Sequence, residues 1–351
     1  MTKVLLTGGS GFIAAHILDQ LLAAGHSVVT TVRSEAKAAK IREAYPSQAA
    51  SGDLVVAIVP ELARADAFDE LIKQTPGLEV VLHTASPFHF NFTDPQTALV
   101  DPAVTGTTSI LHAIAKHAPA VRRVVVTSSF AAILDEAAAT SPATVFSEAS
   151  WNPVTPADIH RSPATAYRLS KKLAEQAAWD FVRDQGDKIR FDLVTINPPM
   201  VFGPLAHPEH VGGLDGVNTS NQRIANLLRG GWKQEGGVPE VGVAWIWVDV
   251  RDVAAAHVKA GLEVPEAGGK RLFVTAGTYS NAELARIVRK RFPEHAELVP
   301  GEEALAAGEM PPEERRYRYD NSATNQLLGI RYRSLEESIV DTVKSLKKIG
   351  A

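Results

Sequence analysis

No cysteine occurs anywhere in the 351-residue chain, which removes disulfides, thiolate metal sites and a cysteine nucleophile together. Long apolar runs are missing too, since no stretch reaches the roughly 18 consecutive apolar residues that a membrane-spanning helix requires. A basic excess is also absent. The formal charge is −4, with 36 Lys and Arg against 40 Asp and Glu, which speaks against a nucleic-acid-binding surface. There is no internal repeat and no low-complexity tract. The amino terminus does not read as a signal peptide, because its apolar residues are already committed to a strand and a helix, and the cytoplasm is the expected compartment. What is present, 45% hydrophobic and 22% charged residues, is the composition of an ordinary soluble globular protein, long enough for one large domain or two.

The most informative segment opens the chain: Val4-Leu5-Leu6-Thr7-Gly8-Gly9-Ser10-Gly11-Phe12-Ile13-Ala14. A short apolar run reads as a buried strand, glycines follow at once, and Ile13, Ile17, Leu18, Leu21 and Leu22 then recur at helical spacing. Strand, tight turn and helix in that order aim free backbone N–H groups and a helix N-terminus at a pyrophosphate. Gly8 permits the turn, Gly11 lets a phosphate approach the backbone, and Ala14 is small enough for close helix–strand packing. The segment predicts a dinucleotide site.

Strand and helix patterns then alternate. Strands are expected at 28–32, 54–59, 79–83, 122–127 and 191–196, with helices at 35–44, 98–117 and 166–184. Nearly all-apolar strands in such an alternation imply an α/β fold, a Rossmann-type doubly wound parallel sheet covered on both faces. After Pro198-Pro199 the texture changes: residues 203–243 are rich in Gly, Pro and Asn, with a helix expected at 221–229. A strand at 245–248, helices at 252–263, 280–292 and 335–348, and a strand at 272–275 complete the chain. The reading divides it into a dinucleotide-binding domain over 1–198, rejoined by segments around 245–263, and a smaller, irregular substrate lobe over 199–351.

The end of the second strand decides the dinucleotide. An NAD site carries Asp or Glu there, for the ribose 2′-OH. This chain reads Thr30-Thr31-Val32-Arg33-Ser34, and Arg33 and Lys37 lie one helical turn apart, suited to a 2′-phosphate. NADP(H) is the expected cofactor.

Tyr167 and Lys171 stand at i and i+4, so both project from one face of a helix, and none of the other five tyrosines has Lys four residues on. That helix follows a strand ending in Val126-Thr127-Ser128-Ser129. Ligands of open α/β sheets bind beyond the carboxyl ends of the strands, so a Ser there, a Tyr on the next helix and a nicotinamide on the Gly loop can meet. Hydride addition to a carbonyl builds negative charge on oxygen. A phenol can deliver the proton, a nearby ammonium favours the phenolate, and a serine hydroxyl supports the developing charge.

Together with Val248-Asp249-Val250-Arg251-Asp252-Val253-Ala254, these residues resemble an extended short-chain dehydrogenase/reductase. His83-Thr84-Ala85-Ser86-Pro87-Phe88, Thr127-Ser128-Ser129-Phe130-Ala131-Ala132 and Ser150-Trp151-Asn152-Pro153 look like the fungal NADPH-dependent methylglyoxal and aldehyde reductases, near the dihydroflavonol and cinnamoyl-CoA reductases. The likeness runs from Val4 to about Thr342. It implies Tyr167 as the acid, Lys171 as its modulator and ribose ligand, and Ser129, rather than Ser128, as the carbonyl partner. It implies Gly8, Ser10, Gly11, Phe12 and Ile13 along the phosphates, Glu61 and Leu62 beside the adenine, and Ala85 and Ser86 at the ribose. Pro198 to Val201 would meet the carboxamide, and Ser220 a phosphate. Two positions depart from the pattern: Thr105 stands where many relatives carry Asn, and Glu61 where similar reductases often have Asp.

Phe130 and Met200 adjoin the catalytic residues and are expected in the substrate pocket. Phe88, Phe90 and Phe92 either wall that pocket or pack, and Phe88 is taken as a pocket residue. Trp245 and Trp247 alternate along a strand, so at most one faces the cleft, and residues 135–139 are expected as a surface loop. His207-Pro208-Glu209-His210 suggests a metal pair but lies in a Gly/Pro loop without helical register or an evident third ligand, so no metal is expected. The expected activity is NADPH-dependent reduction of a hydrophobic or aromatic aldehyde or ketone by a monomer or homodimer, without nucleic-acid or membrane partners. A nucleotide-sugar epimerase or dehydratase, or an NADP(H)-sensing regulator, shares the fold and remains open at this level.

Overall fold

The computed structural model describes residues 1–86 and 93–351. Phe88, Phe90 and Phe92 lie outside the described residues. Twelve strands are present among the described ones. In the first half they are β1 (Lys3–Thr7), β2 (Ser27–Val32), β3 (Leu54–Ile58), β4 (Val80–His83), β5 (Arg123–Thr127) and β6 (Val145–Ser147). The second half adds β7 (Asp192–Ile196), β8 (Met200–Phe202), β9 (Ile246–Asp249), β10 (Lys270–Leu272), β11 (Gly277–Thr278) and β12 (Arg318–Asp320).

Seven strands form one parallel sheet in the order β10-β7-β5-β4-β1-β2-β3. The order reverses between β1 and β4, which opens a crevice at their carboxyl ends. Alternate side chains feed opposite faces. Val4 and Leu6 pack with Ile17, Leu18 and Leu21 of the helix Phe12–Ala23 and with Val253 and Ala254 of the helix Val250–Val258. Leu5, Val29 and Val81 pack on the other face with Ile110, Leu111 and Ile114 of the helix Asp101–His117. Burial on both faces explains the unbroken apolar strands. β3 is the outer edge, where Val55 and Ile58 stay exposed.

Three expectations need correction. Of the segment around 245–263 expected to rejoin the first domain, the helix packs on the main sheet, but β9 lies between β8 and β11 in a separate three-stranded sheet, and β10 closes the main sheet beside β7. The long helix expected from 98 begins as a wider π-type turn over Gln96–Val100, and the regular helix starts at Asp101. Pro102 has no N–H to donate to residue 98, so the regular ladder cannot run through that point. The helix expected at 252–263 starts earlier, at Val250, and closes in another π-type turn over Lys259–Glu263. Short elements without strong periodicity, among them β6, β8 and β12, were not legible in the sequence.

The second lobe has its own core of large rings. Trp232, Trp245, Trp247, Phe202 and Tyr279 are buried there against the helices Asn281–Arg291 and Leu335–Lys347. Neither Trp245 nor Trp247 faces the cleft; both pack inside. In the 135–139 segment only Glu136 and Ala137 are exposed; Ala139 is anchored in this core and Glu136 pairs with Arg168.

Candidate active site

The glycine turn is built by close approach. Gly8 sits at φ 77°, and a Cβ there would stand 3.1 Å from the Ala85 Cα. At Gly9 a Cβ would fall 2.1 Å from Thr30 Oγ1, so this glycine, which carried no argument in the sequence, is the most tightly constrained of the three. The Gly11 amide donates to the Gly8 carbonyl (2.8 Å), and the helix Phe12–Ala23 starts directly after it with no side-chain cap. Its first amides are thereby left for a ligand, as an anion site at a helix N-terminus requires.

This turn forms one end of a cavity of about 600 Å³. Gly8, Ser10, Gly11, Phe12 and Ile13 line it, and Arg33 and Lys37 line it beyond the end of β2. Leu62, Ala85, Ser86, Pro198, Val201 and Ser220 contribute further wall. Glu61 does not. Its side chain is exposed and accepts the Ala63 amide (3.1 Å) within its own loop, which leaves Leu62 and Val59 as the apolar surface there. Asn218 and Thr219 also line the cavity, at the N-terminus of the helix Thr219–Leu228; only Ser220 was singled out from the sequence, through a resemblance.

At the other end stand Ser129, Tyr167 and Lys171. The helix Pro163–Gln185 is started by Ser162, whose hydroxyl accepts the Thr165 amide (3.0 Å), and by Pro163 in its first turn. That start, three residues ahead of the one read from periodicity, puts Tyr167 and Lys171 in the helix's second and third turns. Beyond β5 the two serines part. The Ser128 hydroxyl donates to buried Glu175, whereas Ser129 lines the cavity beside Tyr167 and its hydroxyl accepts the Ala131 amide (3.1 Å).

Glu175 is the centre of a buried network that sequence reasoning missed. It accepts from Asn197 Nδ2 (2.7 Å), Thr195 Oγ1 (3.0 Å) and Arg271 Nε (2.6 Å), as well as from Ser128. Asn197 also reaches the Ser129 carbonyl (3.3 Å), so the network supports the turn that presents the Ser129 hydroxyl. Arg271 lies 3.8 Å over the Trp151 ring and donates to the carbonyls of Glu148 and Ser150. No local pattern announces this arrangement, because its members come from five separated segments.

The electrostatics differ from the sequence expectation in one respect. Lys171 donates to Ser86 (3.1 Å) and lies 5.9 Å from the Tyr167 ring centroid. Removal from water pushes the Tyr167 phenol above its ordinary value, and the Ser129 hydrogen bond pulls the other way. Desolvation therefore outweighs the expected push toward phenolate, and the phenol stays protonated at neutral pH. Burial lowers Lys171 to about 8. His83 falls to about 4, through burial and then the Lys171 charge, and stays neutral.

Met200 and Phe130 both line the cavity, with different freedom. Phe130 is stacked on Phe273 (5.3 Å between centroids, 2° between planes) and packed against Phe146, so its ring is a fixed wall. Met200, only partly buried, is the adaptable one. The His207-Pro208-Glu209-His210 segment does not line the cavity. The expectation that it lacks a third ligand is corrected, because Glu209 stands with both imidazoles.

A glycine turn with free helix N-terminal amides at the switch point of a parallel sheet, joined in one cavity with Ser, Tyr and Lys, is the arrangement of a nucleotide-dependent α/β enzyme. The chain belongs to the NAD dependent epimerase/dehydratase family, the extended short-chain dehydrogenases/reductases, whose profile matches residues 4–275. It is 44% identical to the ketoreductase azaE of Aspergillus niger, over 98% of this chain and 97% of that protein. It is 36% identical to the NADPH-dependent methylglyoxal reductase of Saccharomyces cerevisiae, over 99% and 98% of the two chains. The structure of the yeast methylglyoxal/isovaleraldehyde reductase complexed with NADPH superposes with a TM-score of 0.91 at 35% identity, covering 99% of this chain and 98% of the other. A UDP-glucose 4-epimerase of Thermotoga maritima, at 18% identity and a TM-score of 0.68, shares the fold alone.

Proposed function

We propose that this chain is an NADPH-dependent carbonyl reductase that converts a hydrophobic aldehyde or ketone to its alcohol. The observation that carries the reading is the placement of Ser129, Tyr167 and Lys171 together at one end of a cavity whose other end offers Gly8–Ile13, Arg33 and Lys37. The pocket fits the cofactor. A Cβ would fill the cradle at Gly8 and Gly9, and the cavity carries two cations and no acid where the 2′-position of the adenosine ribose would lie. NADPH supplies the hydride. Tyr167 donates the proton to the carbonyl oxygen as charge builds on it, and Ser129 holds that oxygen. Lys171 holds the ribose, and the neighbouring walls of Met200, Phe130 and Leu134 exclude water from an apolar substituent. The alternative epimerase chemistry fits less well, since Arg33 stands where a retained NAD would need an acid. The proposed setting is the cytoplasm, as a cysteine-free chain has no disulfide for an oxidising compartment to form, and the proposed working unit is a monomer or homodimer.

The test is steady-state reduction of a panel of aryl ketones and aliphatic aldehydes with NADPH and NADH. The expected kcat/KM strongly favours NADPH, and Arg33→Ala narrows the gap by about 1.5–3 kcal/mol, the worth of a charge-assisted hydrogen bond. Equal use of both cofactors would remove the 2′-phosphate assignment; no turnover of any carbonyl would remove the activity.

Lys171 gives a pH prediction. Burial lowers its value to about 8 in the cofactor-free protein, so the ammonium is present below that pH and lost above it. Ribose hydroxyls that accept from the ammonium favour its charged form, so NADPH affinity should fall, by up to about tenfold per pH unit, as pH rises above 8. Fluorescence titrations between pH 6.5 and 9.5 should show this slope in the wild type and none of it in Lys171→Met. A slope of the same size in the variant would assign it to another group.

A further inference from the structure

Outside the cavity, one cluster of side chains has no part in hydride transfer. His207-Pro208-Glu209-His210 forms a single 3-10 turn in the loop between β8 and the helix Thr219–Leu228, and one ligand atom from each of His207, Glu209 and His210 lies within 4.8 Å of the other two.

The hydrogen bonds around His207 fix which nitrogen faces the cluster. The Tyr45 hydroxyl has one proton and donates it to Asp19, and its oxygen lies 2.8 Å from His207 Nε2. That oxygen can then only accept, so Nε2 carries a hydrogen. The lone pair of the neutral ring is left on Nδ1, which faces Glu209 Oε1 at 3.5 Å. A positive charge between these two acceptors, either a proton on the ring or a metal ion, would favour their approach. An ionic N–H···O bond would draw them to about 2.7–2.9 Å. A cation with bonds of about 2.0–2.1 Å to both would instead hold them roughly 3.3 Å apart, the edge of a tetrahedral shell.

The surroundings match a metal ligand set at a second level. Ligating histidines direct their other nitrogen to a carboxylate or comparable acceptor, which fixes the ring and raises its basicity. His207 shows this arrangement, with Nε2 at 2.8 Å from the Tyr45 hydroxyl and 3.7 Å from Asp19, whereas His210 Nε2 lies 3.9 Å from the exposed Glu43, without a hydrogen bond to it. The two imidazoles stand side by side, 5.7 Å between centroids and 28° between planes. Both side chains are largely sheltered, at 25% and 18% exposed, whereas Glu209 reaches solvent.

We propose that His207, Glu209 and His210 bind one divalent transition ion of the zinc class, with water at the remaining position. Two imidazoles and one carboxylate, without thiolate, suit Zn²⁺, Co²⁺ or Ni²⁺ rather than Mg²⁺ or Ca²⁺. The ion is structural. It fastens the loop of the second lobe against the helix Phe12–Ala23, which carries Asp19, and the helix Glu35–Ala44, whose Lys40 already donates to the His210 carbonyl (2.9 Å). The same loop continues into Asn218–Ser220 on the cavity wall, so the ion would steady one side of the cleft without touching the reacting atoms.

The test is calorimetric titration of the tag-free, chelator-treated full chain with ZnCl₂ at pH 7.5, supported by the visible absorbance of Co²⁺. One equivalent should bind. His210→Ala and Glu209→Gln should each weaken binding at least tenfold, and Tyr45→Phe, which removes only the hydroxyl that orients His207, about tenfold. NADPH affinity measured in the same variants without metal should stay near wild type and shows that they are folded. Failure to bind a stoichiometric ion would overturn the proposal and leave a proton as the charge between His207 and Glu209. Stoichiometric binding that survives both ligand variants would overturn it as well, placing the ion elsewhere.

Discussion

Tyr167→Phe should lower carbonyl reduction about 10²–10⁴-fold, or roughly 3–5.5 kcal/mol of transition-state stabilisation, while NADPH still binds. The substitution removes one oxygen and keeps the ring. That oxygen belongs to the phenol beside Ser129, and burial holds the phenol above its ordinary value, so it is a loaded proton donor at neutral pH. The phosphates, by contrast, meet Gly8–Ile13, Arg33 and Lys37 at the opposite end of the cavity. The loss should therefore fall in kcat at saturating NADPH, with the cofactor's Kd close to wild type. Ser129→Ala should also reduce turnover, and Ser128→Ala less so, because the Ser128 hydroxyl is turned away to Glu175. A folded, NADPH-saturated Tyr167→Phe protein that keeps near-full activity would end the proposed mechanism.

Glu175→Ala should be the most destabilising single change in the vicinity of the site, by about 3–5 kcal/mol. The side chain is fully buried, and it balances Arg271, which is itself nine-tenths buried. Truncation leaves that guanidinium without its carboxylate and strips Asn197, Thr195 and Ser128 of their shared acceptor. The cost is chiefly that of an uncompensated buried charge rather than of lost contacts, so Glu175→Gln, which keeps an acceptor but not the charge, should also be costly, though less so. Urea unfolding monitored by tryptophan fluorescence measures both. An unchanged midpoint in Glu175→Ala would mean that Arg271 finds another partner. Because Asn197 also supports the Ser129 carbonyl, surviving folded protein should show reduced turnover as well.

Both predictions concern the same few residues, yet they were unequally visible beforehand. Tyr167 and Lys171 could be paired from the sequence, because four residues are one turn and a helix needs no knowledge of the rest of the chain. Glu175 lies another turn along the same helix and drew no attention. Its partners Ser128, Thr195, Asn197 and Arg271 arrive from β5, β7 and β10, up to 96 residues away. Likewise nothing local distinguishes Ser128 from Ser129. One hydroxyl meets the buried carboxylate and the other the cavity only because the sheet and the helix bring them there, and the choice of Ser129 rested on resemblance alone.

By itself the sequence determined the local elements and the backbone constraints: apolar strands that had to be covered on both faces, a glycine turn into a helix, a cationic end to β2 and a Tyr–Lys register. These follow from sterics and periodicity within a few residues. Only the tertiary structure decided where those pieces meet. It moved β9 into a second sheet and turned Glu61 out of the cavity. It also set His207 against Tyr45, 162 residues away. Such contacts depend on the path of the whole chain, and a polar side chain is committed to a partner, a ligand or solvent only once burial has removed its alternatives.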